Sequence, residues 1–294
     1  MVVGPTGSGK SALAVQLATR LHAPIISTDS RQVFRGMPIG TAQPTREELA
    51  AAKHYFIADR EVEDDFNCGK YETEALALLE RLFTENDYVV AVGGSGLYVQ
   101  ALCEGMDDLP DADPALRENL KQRLEREGLE SLVAELRTLD AKYAEEVDLC
   151  NPARVMRALE VCLATGHPYS EQRKGVATER PFNIIKIGTD MPRDVLYDRI
   201  NRRVDMMVEE GLEAEARTMY PKRHLNALQT VGYRELFDYF DGNCSFEEAV
   251  ELVKRNSRRY AKRQLTWFRR DAQTAWFNPN DLDAILAHIA KSGE

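Results

Sequence analysis

Cysteine is scarce in this chain of 294 residues. Cys68, Cys103, Cys150, Cys162 and Cys244 stand singly, and an odd number without CxxC spacing excludes a disulfide framework and argues against a zinc site. Long apolar runs are missing too. No stretch approaches the ~18–20 residues of a membrane span, and the start has no signal-peptide pattern. The reading is a soluble protein of the reducing cytoplasm with no membrane partner. Base is in deficit: 38 Lys and Arg against 48 Asp and Glu leave a net charge of −10, which by itself disfavours nucleic acid. One segment reverses the balance. Lys254, Arg255, Arg258, Arg259, Lys262, Arg263, Arg269 and Arg270 lie within a run that contains no acid. On an otherwise acidic body this is the footprint of a polyanion site.

What is present begins almost at the first residue. Gly4, Pro5, Thr6, Gly7, Ser8, Gly9, Lys10 and Ser11 fit the phosphate-loop pattern. Glycines let consecutive backbone N–H groups converge on phosphate oxygens. Lys10 can reach the outer phosphate and Ser11 can ligate Mg²⁺. A helix over 11–21 aims its positive end at the anion. This is a nucleotide-binding type of loop, suited to a di- or triphosphate such as ATP. Only three residues precede Gly4, fewer than the five or six or so of a usual strand, so the natural chain is expected to begin earlier.

Apolar strands at 24–28, 87–92 and 182–189 alternate with helical stretches at 74–83 and 192–210, which implies βαβ units and a parallel sheet. The expected fold class is α/β: a P-loop-type parallel sheet flanked by helices, with an all-helical insertion. The expected division is a first core part at 1–110, a helical insertion at 111–180 that grips RNA, and a second core part at 181–294. Asp113 before Pro114 and Asn151 before Pro152 read as helix starts, and Gly166 as a stop. Ser245 with Glu248 forms a capping box that opens the basic helix.

In α/β sheets ligands sit at the carboxyl ends of strands. The phosphate loop, Asp29 and the turn at 93–96 all follow strand ends and are expected to share one crevice. An NTPase normally carries a second acid after an apolar strand to hold Mg²⁺; here the strand at 88–92 runs into glycine instead. Asp29 suits a general base, or else a capping or metal-shell acid. Ser95 suits a support for Asp29, or a turn serine. Arg199 and Arg203, one helical turn apart, can clamp a diphosphate or form a solvated face. Tyr260 and Trp267 among the arginines suit a phosphate backbone and splayed bases.

These residues converge on a family. The loop at 4–11, Asp29-Ser30-Arg31-Gln32-Val33-Phe34 with Met37-Pro38-Ile39-Gly40-Thr41-Ala42-Gln43-Pro44, Gly93-Gly94-Ser95-Gly96-Leu97-Tyr98, Val231-Gly232-Tyr233-Arg234, and Ala261-Lys262-Arg263-Gln264-Leu265-Thr266-Trp267 together resemble the bacterial tRNA dimethylallyltransferases (tRNA isopentenyltransferases). The resemblance covers essentially the whole chain. It implies transfer of a five-carbon group from dimethylallyl diphosphate to N6 of the adenosine 3′ of the tRNA anticodon, with Mg²⁺ as cofactor, in a monomer.

It also implies roles. Lys10, Asp29, Ser95 and Arg203 would be catalytic. Residues 4–11 with Arg199 and Arg203 would hold diphosphate, and Ser11 the metal. Asp29, Ser30, Arg31, Gln32, Arg117, Arg157, Gly232, Tyr233, Arg234, Lys262, Arg263, Gln264, Trp267 and Arg269 would meet tRNA. Departures are few: Ser11 and Ser95 stand where threonine is usual, Gln43 where lysine is common, and the zinc-finger extension of eukaryotic relatives is not found. Three readings remain beside it: prenylation of free adenine nucleotides, a small-molecule kinase, and a phosphate-loop RNA-binding module.

Overall fold

The computed structural model describes residues 1–107, 109–110, 113–173, 175 and 177–293. They form two compact units: Met1–Cys103 with Arg180–Glu294, and Glu104–Glu179.

The first unit is built on β1 (Val2–Val3), α1 (Lys10–Leu21), β2 (Ile25–Ser27), α2 (Arg46–Ala51), β3 (His54–Tyr55), α3 (Cys68–Leu82), β4 (Val90–Gly93) and α4 (Gly96–Glu104). The second unit holds α5 (Pro114–Glu127), α6 (Leu129–Leu139), α7 (Ala141–Glu146), α8 (Pro152–Thr165) and α9 (Tyr169–Gln172). The first unit resumes with β5 (Ile187–Thr189), α10 (Arg193–Glu209), α11 (Leu212–Met219), α12 (Tyr233–Phe240), α13 (Phe246–Phe268), β6 (Ala275–Phe277) and α14 (Leu282–Ser292).

The six strands form one sheet in the order β3-β2-β4-β1-β5-β6, every pair parallel. The expected α/β class is the observed one. Successive strand residues face opposite sides, and the core divides accordingly. Ile25 and Val90 pack with Leu13, Leu17 and Ile285 on one face; Ile26 and Ala91 pack with Tyr71, Leu79, Tyr233 and Leu236 on the other. The strands are shorter than the apolar runs that announce them. Phe182, expected to open β5, packs its ring against Phe83 with centroids 5.5 Å apart. The helix expected at 74–83 starts at Cys68, because Asn67 Oδ1 accepts from the N–H groups of Gly69 and Lys70. β3 and β6 escaped the sequence reading, since two or three residues carry no detectable period.

In the second unit, Asp113 caps α5 and Asn151 caps α8, each with proline at the first turn, and α8 stops at left-handed Gly166. The helices close over Leu120, Leu132, Leu136, Val155, Ala158 and Leu159. No helix among the described residues is long and apolar enough to cross a membrane.

Candidate active site

The phosphate loop links β1 to α1. Gly9 caps the helix at φ 86, a left-handed conformation that glycine takes without a Cβ clash. Ser8 Oγ lies 2.6 Å from Thr189 Oγ1 on β5, buried, and the Ser8 N–H donates to Pro5 O. The Ser8 hydroxyl therefore shapes the loop by tying it to β5. Lys10 Nζ donates to Pro5 O at 3.3 Å and lines a crevice with Thr6, Ser11, Asp29 and Arg203. Burial, and then the neighbouring Arg203, lower the Lys10 ammonium to about 8 against the opposing pull of Asp29. Burial likewise lowers the Arg203 guanidinium, against Glu48 and Asp29. Arg199 lies beside the loop, its Nη2 3.6 Å from where a Cβ on Gly9 would sit. Both arginines thus flank the loop, whereas Arg202 between them turns outward to Asp198.

Asp29 follows β2. Its Oδ1 accepts from Arg31 N at 2.8 Å and Gln32 N at 3.2 Å. The capping alternative is therefore realised, by one oxygen only. Among the described residues no hydrogen bond is recorded to Oδ2, and Asp29 lines the crevice. Ser95 does not reach Asp29. Its hydroxyl accepts from Ser30 N at 2.9 Å and donates to Ser30 Oγ at 3.1 Å. It reaches the turn of Asp29 one residue removed, through Ser30.

α13 supplies the crevice's other wall through Val253, Ser257, Tyr260 and Gln264, at i, i+4, i+7 and i+11. Gln264 is 5% exposed. Its Oε1 accepts from Thr6 N and its Nε2 donates to Gly94 O, both at 2.8 Å. It joins α13 to the phosphate loop and to the turn after β4, whereas the resemblance implied an RNA contact. Gly94 has no room for a side chain, since a Cβ there would lie 2.3 Å from Gln264 Nε2. Tyr260 sits beside Asp29 and within hydrogen-bond reach of Ser95; burial pushes its phenol up to about 12, and Asp29 adds to the rise.

Two further assigned RNA contacts are consumed by the chain itself. Tyr233 is fully buried, and its hydroxyl donates to Glu215 Oε1 at 2.6 Å. Glu215 also accepts from Ile39 N and Gly40 N, so Tyr233 fixes the loop at 37–43. Gln32 Nε2 donates to Thr41 O and Ala42 O, closing the same loop. Gln43, in the lysine position, donates to Gln32 O and Phe34 O. Arg31 lines the crevice with Nη1 on Asn226 O. Ser30 pairs with Ser95, Gly232 lines the crevice at φ 99, and Arg234 is exposed.

The basic helix is not uniformly free. Lys254 pairs with Asp205 and Glu251, Arg258 donates to Asn201, and Arg269 meets Asp190 at 3.1 Å. Arg255, Arg259, Lys262, Arg263 and Arg270 are exposed, and no ion pair to them is recorded among the described residues. Trp267 is half-buried, its ring over Gly96. In the helical unit, Arg117 binds Glu160 with Nε at 2.7 Å and Nη2 at 2.9 Å, and Arg157 Nη1 reaches the same carboxylate at 3.4 Å. Glu160 is 3% exposed. These arginines compensate a buried charge.

The crevice also has an apolar lining that the sequence did not assign to the site: Ile200, Val204 and Met207 of α10, Leu212 of α11, Val231, and Val253. The i, i+4, i+7 spacing on α10 was the signal available. As for a metal, no group of three His, Cys, Asp or Glu able to hold one exists among the described residues. Ser11 and Asp29 offer hard oxygen donors at the crevice. That set fits Mg²⁺, which takes few protein ligands and completes its shell with water and substrate phosphate.

Residues 32–271 match the family described as IPP transferase. A curated tRNA dimethylallyltransferase of Cytophaga hutchinsonii is 52% identical over 98% of this chain and 95% of its own length. One from Parabacteroides distasonis is 47% identical over 99% and 97%. Among solved structures, the full-length tRNA isopentenylpyrophosphate transferase of Bacillus halodurans is 41% identical with a TM-score of 0.73, covering 99% of this chain and 95% of that one. The crevice, its phosphate loop and the acid facing it are thus carried on a chain that belongs to the IPP transferase family.

Proposed function

We propose that this protein transfers the dimethylallyl group of dimethylallyl diphosphate to N6 of the adenosine 3′ of the tRNA anticodon. The observation that carries the reading is one crevice with an anion-binding loop, Lys10 and Arg203 at one side and Asp29 facing them, while β4 ends in glycine where a nucleotide hydrolase would place an acid.

The diphosphate lies on the loop, held by backbone N–H groups, Lys10, Arg203 and Arg199. Ser11 would hold Mg²⁺, which would neutralise charge on the diphosphate. N6 attacks C1 of the prenyl chain; the N–C bond forms as the C–O bond breaks, and diphosphate departs with the electron pair. Asp29 Oδ2 takes the proton that N6 sheds, while Oδ1 stays bound to its turn. Lys10 and Arg203 stabilise the charge growing on the leaving oxygen. Ser95 holds Ser30, and hence the turn that carries Asp29, and Tyr260 stands beside Ser95.

The exposed cations of α13 receive the RNA backbone. The adenosine leaves the loop stack to reach Asp29. The protein acts in the cytoplasm, where tRNA is, as a monomer. Diphosphate release from dimethylallyl diphosphate by purified protein tests this. Release that depends on an anticodon stem-loop carrying the adenosine is expected; release of phosphate from ATP, or transfer to free AMP at equal efficiency, would overturn it.

A further inference from the structure

The crevice has a direction. On α10, Ile200 lies nearest the loop, because a Cβ on Gly7 would come within 2.9 Å of it. Arg203, Val204 and Met207 follow along the same face. On α13 Gln264 touches the loop, and Tyr260, Ser257 and Val253 lead away from it. Both walls therefore run from the anion site to an apolar end formed by Val204, Met207, Leu212 and Val253. Val204, Leu212 and Val253 are buried, and Met207 is half-buried against the core cluster that contains Leu212.

From this geometry we infer that Met207, backed by Val253, limits the transferred chain to five carbons. The inference rests on the proposed prenyl transfer. With diphosphate at Arg203, the prenyl chain lies along α10. A dimethylallyl group reaches about 4 Å from C1 to its end, three carbon–carbon bonds at normal angles. One helical turn beyond Arg203, about 5.4 Å on, stands Met207. A second isoprene unit adds about 5 Å and would need the volume that the Met207 side chain fills. Methionine suits such a stop: it is unbranched and packs into an irregular gap. An apolar wall discriminates by size through steric exclusion, worth about 10–200-fold per misfit group.

The test uses full-length protein, tRNA at saturation, and either dimethylallyl or geranyl diphosphate. The prenylated nucleoside is measured by mass spectrometry. Wild type is expected to use geranyl diphosphate at least ~100-fold less efficiently. Met207→Ala is expected to raise the geranyl-to-dimethylallyl ratio at least ~10-fold while still using dimethylallyl diphosphate, and Val253→Ala to do so to a smaller extent. Met207→Leu should behave as wild type. An unchanged ratio in an Ala variant that still transfers dimethylallyl overturns the inference and leaves the proposed function standing. So does a raised KM for tRNA with no change in ratio, since the wall would then belong to the adenine. A wild type that transfers neither group overturns the proposed function itself.

Discussion

Gln264 is the residue whose assigned role changes most between sequence and structure, and its truncation separates the two. In Gln264→Ala the N–H of Thr6 and the C=O of Gly94 lose their partners. An orphaned buried polar group costs about 1–3 kcal/mol. The crevice admits water beside Gln264, so the low end applies to each, about 2 kcal/mol together. For a unit of this size that corresponds to a fall of about 4–8 °C in Tm. The loop also loses its tie to α13, and diphosphate affinity should drop about tenfold, or 1.4 kcal/mol. Gln264→Glu keeps an acceptor for Thr6 but sets a carboxylate against Gly94 O and the bound anion; it should lose more diphosphate affinity than Ala. Calorimetric titration with inorganic diphosphate, with melting curves, reads both effects. If Gln264→Ala binds diphosphate and melts like wild type but raises KM for tRNA, the tie is idle and Gln264 belongs to the RNA surface.

Lys10 should set an alkaline limit. Its ammonium is needed to hold the anion and, lowered to about 8, is lost as pH rises through that value. KM for dimethylallyl diphosphate should therefore climb above about pH 8, and Lys10→Arg should remove the climb; a flat wild-type profile from pH 7 to 10 would refute it. Neutralising Lys262 and Arg263 together should weaken tRNA binding and flatten the plot of log affinity against log salt by about one unit per lost contact. Turnover at saturating tRNA should change less. Equal slopes in filter binding would place the RNA path elsewhere.

The loop, Asp29 and the glycine turn were legible because each is a contiguous motif whose backbone geometry does the chemistry. The spacing of Arg199 and Arg203 left a diphosphate clamp and a solvated helix face both open, and only the resemblance pointed to Arg203. Gln32, Tyr233 and Gln264 were not legible, because a polar side chain near a site reads alike whether it faces substrate or its own backbone. The pairing of Arg117 and Arg157 with Glu160 was hidden for a related reason: Glu160 is 43 residues from Arg117 in sequence. The short strands β3 and β6 exist only through their neighbours in the sheet, and no local propensity announces them.

The central claim is that Asp29 removes the N6 proton during prenyl transfer. Its most direct test is single-turnover formation of the prenylated nucleoside, with dimethylallyl diphosphate and tRNA saturating, in wild type and Asp29→Asn. Asparagine keeps the oxygen that binds Arg31 N and Gln32 N, so the turn survives and only the base is lost. The rate should fall ~10²–10⁴-fold, with tRNA affinity within several-fold of wild type. A near-normal rate in Asp29→Asn would remove Asp29 from the proton transfer and contradict the account.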